Sequence, residues 1–211
     1  GAFPGTDPLS LGMLGMHGTY EANMAMDGAD LVIALGARFD DRVTNNPEKF
    51  SPKATIIHMD VDAASINKII DAHIPLLGDG SWVLEQLSAR LAQALQDQDD
   101  AAAQARAQGL EVWWQQINEW RAANGLNHNL KAQAGKPILP QLAIQSLYKV
   151  TQGEAFVCSD VGQHQMFAAQ YYHFDEPRRW INSGGLGTMG FGLPSAMGVQ
   201  MGNPEATVTC V

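Results

Sequence analysis

Cysteine and positive charge are both scarce in this chain. Its 211 residues include two cysteines, Cys158 and Cys210, and 13 Lys and Arg against 22 Asp and Glu, which gives a formal net charge of −9. Two cysteines this far apart show neither a disulfide framework nor a metal-ligand spacing, and this usage predicts a cytoplasmic location. The acidic balance argues against a nucleic-acid partner. It does not exclude anionic ligands, because backbone N–H groups and metal ions also bind phosphates.

Long apolar runs are missing as well. No run approaches the roughly 18 residues that a membrane helix needs, so no membrane partner is predicted, and no secretory signal pattern is present. Residues 1–96 lack the Gly-x-Gly-x-x-Gly fingerprint, and this absence argues against simple nicotinamide-cofactor binding. The six histidines are scattered, and neither a Ser/His/Asp triad nor a metal cluster can be argued. Hydrophobic content of 45% is that of a globular protein with a sizeable core.

Apolar runs and amphipathic patterns alternate along residues 9–96. The predicted elements are a helix at 19–26, a strand at 30–36, strands at 55–62 and 74–77, and a helix at 81–95. The apolar run at 30–36 is typical of a buried parallel strand. Alternation of this kind predicts an α/β fold with a doubly wound parallel sheet. Ligands of such sheets bind at the carboxyl ends of the strands, which here carry Gly36, Asp60, Asp62 and Asp79.

Composition changes after residue 96. Residues 97–135 are interpreted as a helical connector between two domains, and its three tryptophans, Trp113, Trp114 and Trp120, as packing against the sheets. The α/β pattern restarts at residue 136. The elements predicted there are helices at 139–150, 163–171 and 188–201 and strands at 155–159, 180–181 and 207–211.

The stretch from Asn182 to Gly198 is the most informative in the chain. It holds six glycines and two methionines in 17 residues, interleaved with apolar side chains. A flexible linker would be polar instead. Because glycine lets the backbone approach a ligand closely, the pattern predicts a pocket wall made of backbone that leads into a packed helix.

Four other segments have both a ligand-binding and a structural interpretation. The glycine and methionine loop Leu11–Thr19 leads into a helix, so it fits either an anion site or a plain capped loop. Arg38 and Arg42 can hold phosphate or carboxylate, or can form surface ion pairs. The carboxylates of Asp60 and Asp62 can accept a ribose hydroxyl or cap a helix. The segment Ser159–Met166 can hold a diphosphate, although His164 alone is more often a structural histidine.

Taken together, Leu11–Thr19, Arg38–Thr44, Asp160–Met166 and Asn182–Gly198 resemble the catalytic large subunit of acetohydroxyacid synthase, also called acetolactate synthase. The resemblance covers nearly the whole chain and is least specific in residues 97–135. It implies a thiamine-diphosphate enzyme with bound FAD and Mg²⁺. It also implies three regions: part of a central FAD-binding domain (1–96), the connector (97–135) and the first part of a thiamine-diphosphate-binding α/β domain (136–211).

The chain has no initiator Met and stops in an apparent core strand, so we expect it to be a fragment of a longer protein. The resemblance implies that the activating glutamate and the Mg²⁺ ligands lie outside it, so that no metal ligand is expected within it. The 211 residues alone are therefore expected to be inactive.

The resemblance also implies roles for individual residues. For FAD these are Leu14, Gly15, Met16, His17, Gly18, Gly36, Ala37, Arg38, Asp40, Arg42, Val43, Asp60, Val61, Asp62, Ile66, Gly78 and Asp79, with Gln165, Met166, Gly184 and Gly185 from the second domain. For thiamine diphosphate they are Val161, Gly162, Gln163, His164, Gly187 and Met189. The Gly187 carbonyl would accept from the aminopyrimidine amine. The Met189 N–H would donate to the pyrimidine ring, and the Met189 side chain would force the bent shape of the cofactor that the chemistry needs.

The activity implied is decarboxylation of pyruvate and transfer of the hydroxyethyl group to pyruvate or 2-ketobutyrate, in the synthesis of valine, leucine and isoleucine. The implied partners are a second copy, in a homodimer or higher oligomer, and a small regulatory subunit. Two alternatives stay open. One is a related thiamine-diphosphate enzyme such as pyruvate oxidase, glyoxylate carboligase or sulfoacetaldehyde acetyltransferase; the other is a non-catalytic flavin-binding fragment.

Overall fold

The computed structural model describes residues 2–211, which form two compact units. The first unit is Leu14–Gly125, and the second unit consists of residues 2–13 together with Leu126–Val211. These units do not follow the predicted boundaries at 96 and 135. Residues 2–13 belong to the second unit, and the long helix after residue 99, which was predicted to be a connector, belongs to the first unit. The division into family domains stays a prediction.

The first unit is built around a three-stranded parallel sheet in the order β1-β2-β3. Its elements are α1 (Tyr20–Gly28), β1 (Leu31–Leu35), α2 (Asp41–Thr44), a short 3-10 helix (Pro47–Lys49), β2 (Thr55–Asp60), β3 (Ile74–Leu77), α3 (Gly80–Gln96) and α4 (Asp100–Asn124). Side-chain caps begin three of the helices: Thr19 accepts from Ala22 N–H, Asp79 from Trp82 N–H and Asp99 from Ala102 N–H. The α/β class and the parallel strands are therefore confirmed for this unit.

The first sheet buries one face more than the other. Val32, Ala34 and Ile56 pack with Phe39 and Ile70 in the core. The alternate residues of β1, namely Leu31, Ile33 and Leu35, stay exposed among the described residues. The predicted buried parallel strand is therefore parallel, as expected, but only its alternate residues Val32 and Ala34 are buried.

Helix α4 packs on α1 rather than on a sheet. The Trp113 ring lies so close to Gly28 that an added Cβ there would be 3.1 Å from it, and Trp113 meets Trp120 edge to face. Arg121 pairs with the buried Glu21 of α1 at 3.6 Å. The structure thus places Trp113 against Gly28 of α1, where packing against a sheet was predicted, because the main contacts of α4 are with α1.

The second unit contains the second parallel sheet, in the order β5-β4-β6. Its elements are α5 (Pro140–Thr151), β4 (Phe156–Ser159), α6 (Gln163–Tyr171), β5 (Trp180–Asn182), α7 (Gly192–Gly202) and β6 (Val208–Cys210). Gly5 N–H donates to Phe174 C=O at 3.0 Å, which ties the amino-terminal segment to this unit. Ile144, Val157, Ala168 and Tyr172 form its core. Within residues 2–211 no helix combines the length and apolarity needed to cross a bilayer.

Candidate functional site

Three predicted positions meet at the carboxyl edge of the first sheet. Gly36 N–H, after β1, donates to Met59 C=O at 2.8 Å, and Gly78 N–H, after β3, donates to Asp60 C=O at 3.0 Å. Gly36 has φ +59°, and a Cβ added there would meet no atom within 4 Å. The structure therefore brings Gly36, Asp60 and Gly78 together and leaves open space beside Gly36, as expected of the ligand edge of a parallel sheet.

The carboxylates at this edge make local hydrogen bonds. Asp60 Oδ1 accepts from Asp62 N–H at 2.8 Å, and this turn ends β2 at Asp60 rather than at residue 62 as predicted. Asp62 Oδ1 accepts from Ala64 N–H, and Asp79 caps α3. Asp60 and Asp62 therefore form local turns, and the helix-capping interpretation was wrong for them, because the next helix is α3, which Asp79 caps. Each carboxylate keeps a second oxygen, so the ribose interpretation stays a prediction.

The two arginines after β1 form ion pairs with neighbouring carboxylates. Arg38 pairs with Asp40, and Arg42 pairs with Asp41 at 2.9 Å; both guanidinium groups are exposed. Asp40 Oδ1, by contrast, is buried and has no hydrogen-bond partner among residues 2–211. A buried acceptor without a donor is costly, and a ligand hydroxyl or N–H would satisfy it.

The loop Leu14–Gly18 is fixed against the segment that follows Arg38. Met16 N–H donates to Arg42 C=O at 2.7 Å. Gly15 has φ +99°, and a Cβ added there would lie 2.4 Å from Arg42 O, so this backbone contact requires glycine. A cleft of about 380 Å³ opens beside the loop, lined by Leu14, Gly15, Met16 and Val43 of the predicted set and by α1 and the 3-10 helix.

Sequence reasoning missed Asn23, which holds this loop from α1. Its side chain accepts from Gly15 N–H and donates to Gly15 C=O, at 2.8 and 2.9 Å. The available signal was an asparagine in the middle of a helix, where its propensity is unfavourable unless its side chain has a specific partner. The remaining predicted residues of this unit lie in loops at the surface: His17 and Val61 are exposed, and Ile66 is half-buried.

The predicted thiamine-diphosphate residues of the second unit lie on two segments that touch each other: the loop after β4 with the start of α6, and the glycine-rich loop before α7. Gly162 follows β4 with φ +155° and ψ −163°, a conformation open only to glycine, and a Cβ there would lie 2.8 Å from His164 Cε1. Gly187, on the segment 183–192 that is called the glycine loop, has φ +65°, and a Cβ there would lie 3.8 Å from Val161 Cγ1 and touch nothing else within 4 Å. Gly187 therefore lies beside Val161, with room for a further group next to it, and Gly162 lies against His164.

The glycine loop is held at both ends. Ser183 C=O accepts from Gly187 N–H and Ser183 Oγ accepts from Thr188 N–H, each at 3.0 Å. At the other end, Asp160 accepts from Gly190 and Gly192 N–H at 2.9 and 3.0 Å. The positive φ of Gly187 and Gly190 keeps the chain out of the helical region. The predicted helix start at 188 was therefore wrong, and α7 begins at Gly192.

Asp160 is the most strongly hydrogen-bonded carboxylate of this site. The N–H groups of Val161, Gly192 and Gly190 hold the pKa of Asp160 below its usual range. Met189, between the two anchors, has a side chain that is 78% exposed. Gln163 opens α6, and Gln165 and Met166 follow in its first turn, while Gly184 and Gly185 are exposed on the loop; their cofactor roles stay predictions. Within residues 2–211, no three His, Cys, Asp or Glu side chains are grouped so that they could hold a metal ion.

Two family models match the chain. Residues 1–87 match the thiamine pyrophosphate enzyme central domain, and residues 160–211 match the thiamine pyrophosphate enzyme C-terminal TPP binding domain. The chain is 54% identical over its whole length to the acetolactate synthase isozyme 3 large subunit of Escherichia coli (strain K12) and 51% identical to the acetolactate synthase large subunit of Haemophilus influenzae. It is 44% identical over 99% of its length to acetolactate synthase 1, chloroplastic, of Nicotiana tabacum.

The chain therefore belongs to the thiamine pyrophosphate enzymes. Within that family, its sequence falls with the acetolactate synthase large subunits, as the resemblance of its motifs implied. It spans 35% of the length of the two bacterial relatives and 30% of the tobacco one.

Proposed function

We propose that this chain is the part of an acetolactate synthase large subunit that lines its two cofactor sites. The protein would decarboxylate pyruvate and transfer the two-carbon unit to a second pyruvate or to 2-ketobutyrate, in branched-chain amino-acid synthesis. The observation that carries the proposal is the 54% identity over the whole chain, which includes every loop described above. A cytoplasmic location is part of the proposal and rests on the cysteine usage.

Thiamine diphosphate fits the second unit. The space beside Gly187 has Val161 as its neighbour, Gly162 and His164 follow Val161 in the chain, and the first turn of α6 adds the partial positive charge of a helix N-terminus. We assign the diphosphate side to Val161–His164, and the pyrimidine side to Gly187 C=O and Met189 N–H. When bound, the cofactor supplies the group that adds to the keto carbon of pyruvate. The loop residues bind and orient it, and the exposed Met189 side chain is free to lie under it.

FAD fits the first unit. The open backbone at Gly36 and the unpartnered Asp40 Oδ1 lie after β1, and the Leu14–Gly18 loop is held beside Val43. Arg38 and Arg42 are the cations for the diphosphate, because each exposed guanidinium group can bind a phosphate oxygen in addition to its carboxylate partner. Mg²⁺, the oligomer and the regulatory subunit belong to the proposal on the strength of the resemblance alone.

Incubation of the full-length protein with pyruvate, thiamine diphosphate, FAD and Mg²⁺ in air-saturated phosphate buffer tests this function. Acetolactate formed without consumption of O₂ is the expected result. Peroxide with acetyl phosphate would instead indicate an oxidase, and flavin binding with no turnover would indicate a non-catalytic flavin protein.

Met189→Ala tests the assigned loop directly. We expect weaker binding of thiamine diphosphate and a lower kcat, because the cofactor loses the side chain proposed to bend it. Met201→Ala, at an exposed methionine at the end of α7, is the matched control and should leave both unchanged. Equal behaviour of the two variants would argue against the assignment.

A further inference from the structure

The Asp160 carboxylate joins two segments that lie far apart in the sequence. Asp160 Oδ1 accepts from Val161 N–H at 2.7 Å and from Gly190 N–H at 2.9 Å, and Asp160 Oδ2 accepts from Gly192 N–H at 3.0 Å. The first donor is on the loop after β4, and the other two are on the glycine loop. Hydrogen bonds to an ionised acceptor are about twice as strong as neutral ones, so one side chain fixes both loops of the proposed cofactor site.

Packing at Gly192 supports the same contact independently. A Cβ added to Gly192 would lie 2.6 Å from Asp160 N and 3.0 Å from Asp160 Cα and Cβ. The loop backbone thus lies directly against the Asp160 backbone, and only glycine allows it. The carboxylate and the close approach together set where the loop ends and α7 begins.

The segment between the anchors carries the residues assigned to the pyrimidine side. Ser183 holds Gly187 and Thr188 at one end, and Asp160 holds Gly190 at the other. Met189 is the residue directly before Gly190. Without the hydrogen bonds to Asp160, Gly187 C=O and Met189 would no longer be held at a fixed distance from Val161. Gly187 and Gly190 both have positive φ, and glycine can change its backbone conformation at little cost.

We infer that Asp160 is a positioning residue for thiamine diphosphate: it acts through Gly190 and Gly192 to hold Gly187 and Met189 beside the segment Val161–His164. The inference rests on the proposed function in that it takes thiamine diphosphate as the occupant of this space. Asp160 is not assigned a contact with the cofactor. The same three N–H groups lower the pKa of Asp160, because they favour the ionised carboxylate that accepts from them.

The test is Asp160→Asn in the full-length protein. Asparagine keeps the size but turns one oxygen into an NH₂ group that faces a backbone donor. We expect the dissociation constant of thiamine diphosphate, measured by titration of the apoprotein, to rise at least tenfold. The KM for pyruvate at saturating cofactor should stay within twofold, because the substrate contacts are not altered.

Asp175→Asn is the matched control. Asp175 Oδ1 also accepts a backbone N–H in the second unit, that of Thr6 at 2.9 Å, but lies outside the glycine loop. The control should leave cofactor affinity unchanged. An affinity for Asp160→Asn within twofold of wild type, or an equal loss in both variants, would overturn the inference.

Ser183→Ala covers the case in which Asp160→Asn does not fold. It removes only the hydroxyl that accepts from Thr188 N–H, at the opposite anchor of the loop. A severalfold rise in the cofactor dissociation constant is expected, and no rise would count against positioning by the anchors. Because cofactor affinity is the readout, wild-type protein that binds thiamine diphosphate but makes peroxide would refute the synthase proposal while leaving the Asp160 result valid. Wild-type protein that binds no thiamine diphosphate would overturn both.

Discussion

Asn23 and Gly15 are joined by a reciprocal pair of hydrogen bonds, with Asn23 Oδ1 2.8 Å from Gly15 N and Asn23 Nδ2 2.9 Å from Gly15 O. The amide thus satisfies both backbone groups of one glycine and ties the Leu14–Gly18 loop to α1. Met16 N–H, bonded to Arg42 C=O, ties the same loop to the segment after β1. The position of the proposed flavin loop is therefore set by a helix behind it as well as by the sheet edge.

Asn23→Asp should weaken FAD binding. The carboxylate can still accept from Gly15 N–H, but it cannot donate, so it places an oxygen against Gly15 C=O and pushes the loop away. We expect a flavin dissociation constant several times to about tenfold higher, since loss of one such bond costs about 0.5–1.5 kcal/mol and repulsion adds to it. Flavin fluorescence after gel filtration measures the change.

Asn203→Asp is the control for this variant. Asn203 Nδ2 donates to Val199 C=O at the end of α7, so the same chemical change is made in the other unit. It should leave flavin affinity unchanged. Normal flavin binding by Asn23→Asp would show that the loop is held without the asparagine.

Gly15→Ala should destabilise the first unit more than Gly36→Ala. Both glycines have positive φ, which costs an L-residue about 1–2 kcal/mol. Only Gly15 adds a clash, because its Cβ would lie 2.4 Å from Arg42 O, whereas a Cβ at Gly36 would touch nothing within 4 Å. Urea unfolding measures the difference, and equal losses in the two variants would contradict the close approach at Gly15.

Local patterns predicted the regular elements well. β3 and α6 have the bounds that periodicity predicted, Ile74–Leu77 and Gln163–Tyr171. Other ends differ where a side chain or a glycine intervenes: Asp60 turns the chain through Asp62 N–H, and Gly190 delays the start of α7. Such ends depend on single contacts, which a repeating pattern does not contain.

The site was predicted as two sets of loop residues, and the side chains that hold these loops in place by hydrogen bonds were missed. The sequence indicates that Gly15 and Gly187 lie in backbone that needs glycine, because glycine-rich segments with apolar residues are uncommon in linkers. It does not indicate that Asn23 and Asp160 hold them, since the Asp160 contact spans 30 and 32 residues and no local pattern encodes its partner. Family resemblance implied roles for the residues predicted to contact the cofactors, but not for Asn23 and Asp160, which hold those residues in place.

Ile117→Ala should destabilise the first unit strongly. Ile117 is 2% exposed on α4, the helix that packs on α1, so truncation leaves a cavity that costs about 2–5 kcal/mol. Val112→Ala, at a position on the same helix that is 67% exposed, should change stability by less than about 0.5 kcal/mol. Thermal unfolding compares them. A similar, small effect for both would mean that α4 is a free connector rather than part of the first unit.

His173 should make the second unit less stable in mild acid. Burial among the rings of Tyr148 and His128 lowers the pKa of His173, and nearby Asp175 only partly offsets this. Above the unfolded pKa of about 6.5 the ring is neutral in both states and nothing is lost. As the pH falls below that value, the unfolded chain takes up a proton that the folded state resists, so the free energy of unfolding decreases.

The Tm of the wild-type protein should therefore fall more steeply between pH 7.5 and 5.5 than that of His173→Gln. The control His17→Gln, which removes an exposed ring from the first unit, should follow the wild type. Parallel Tm curves for wild type and His173→Gln would show that the buried ring does not carry this pH dependence.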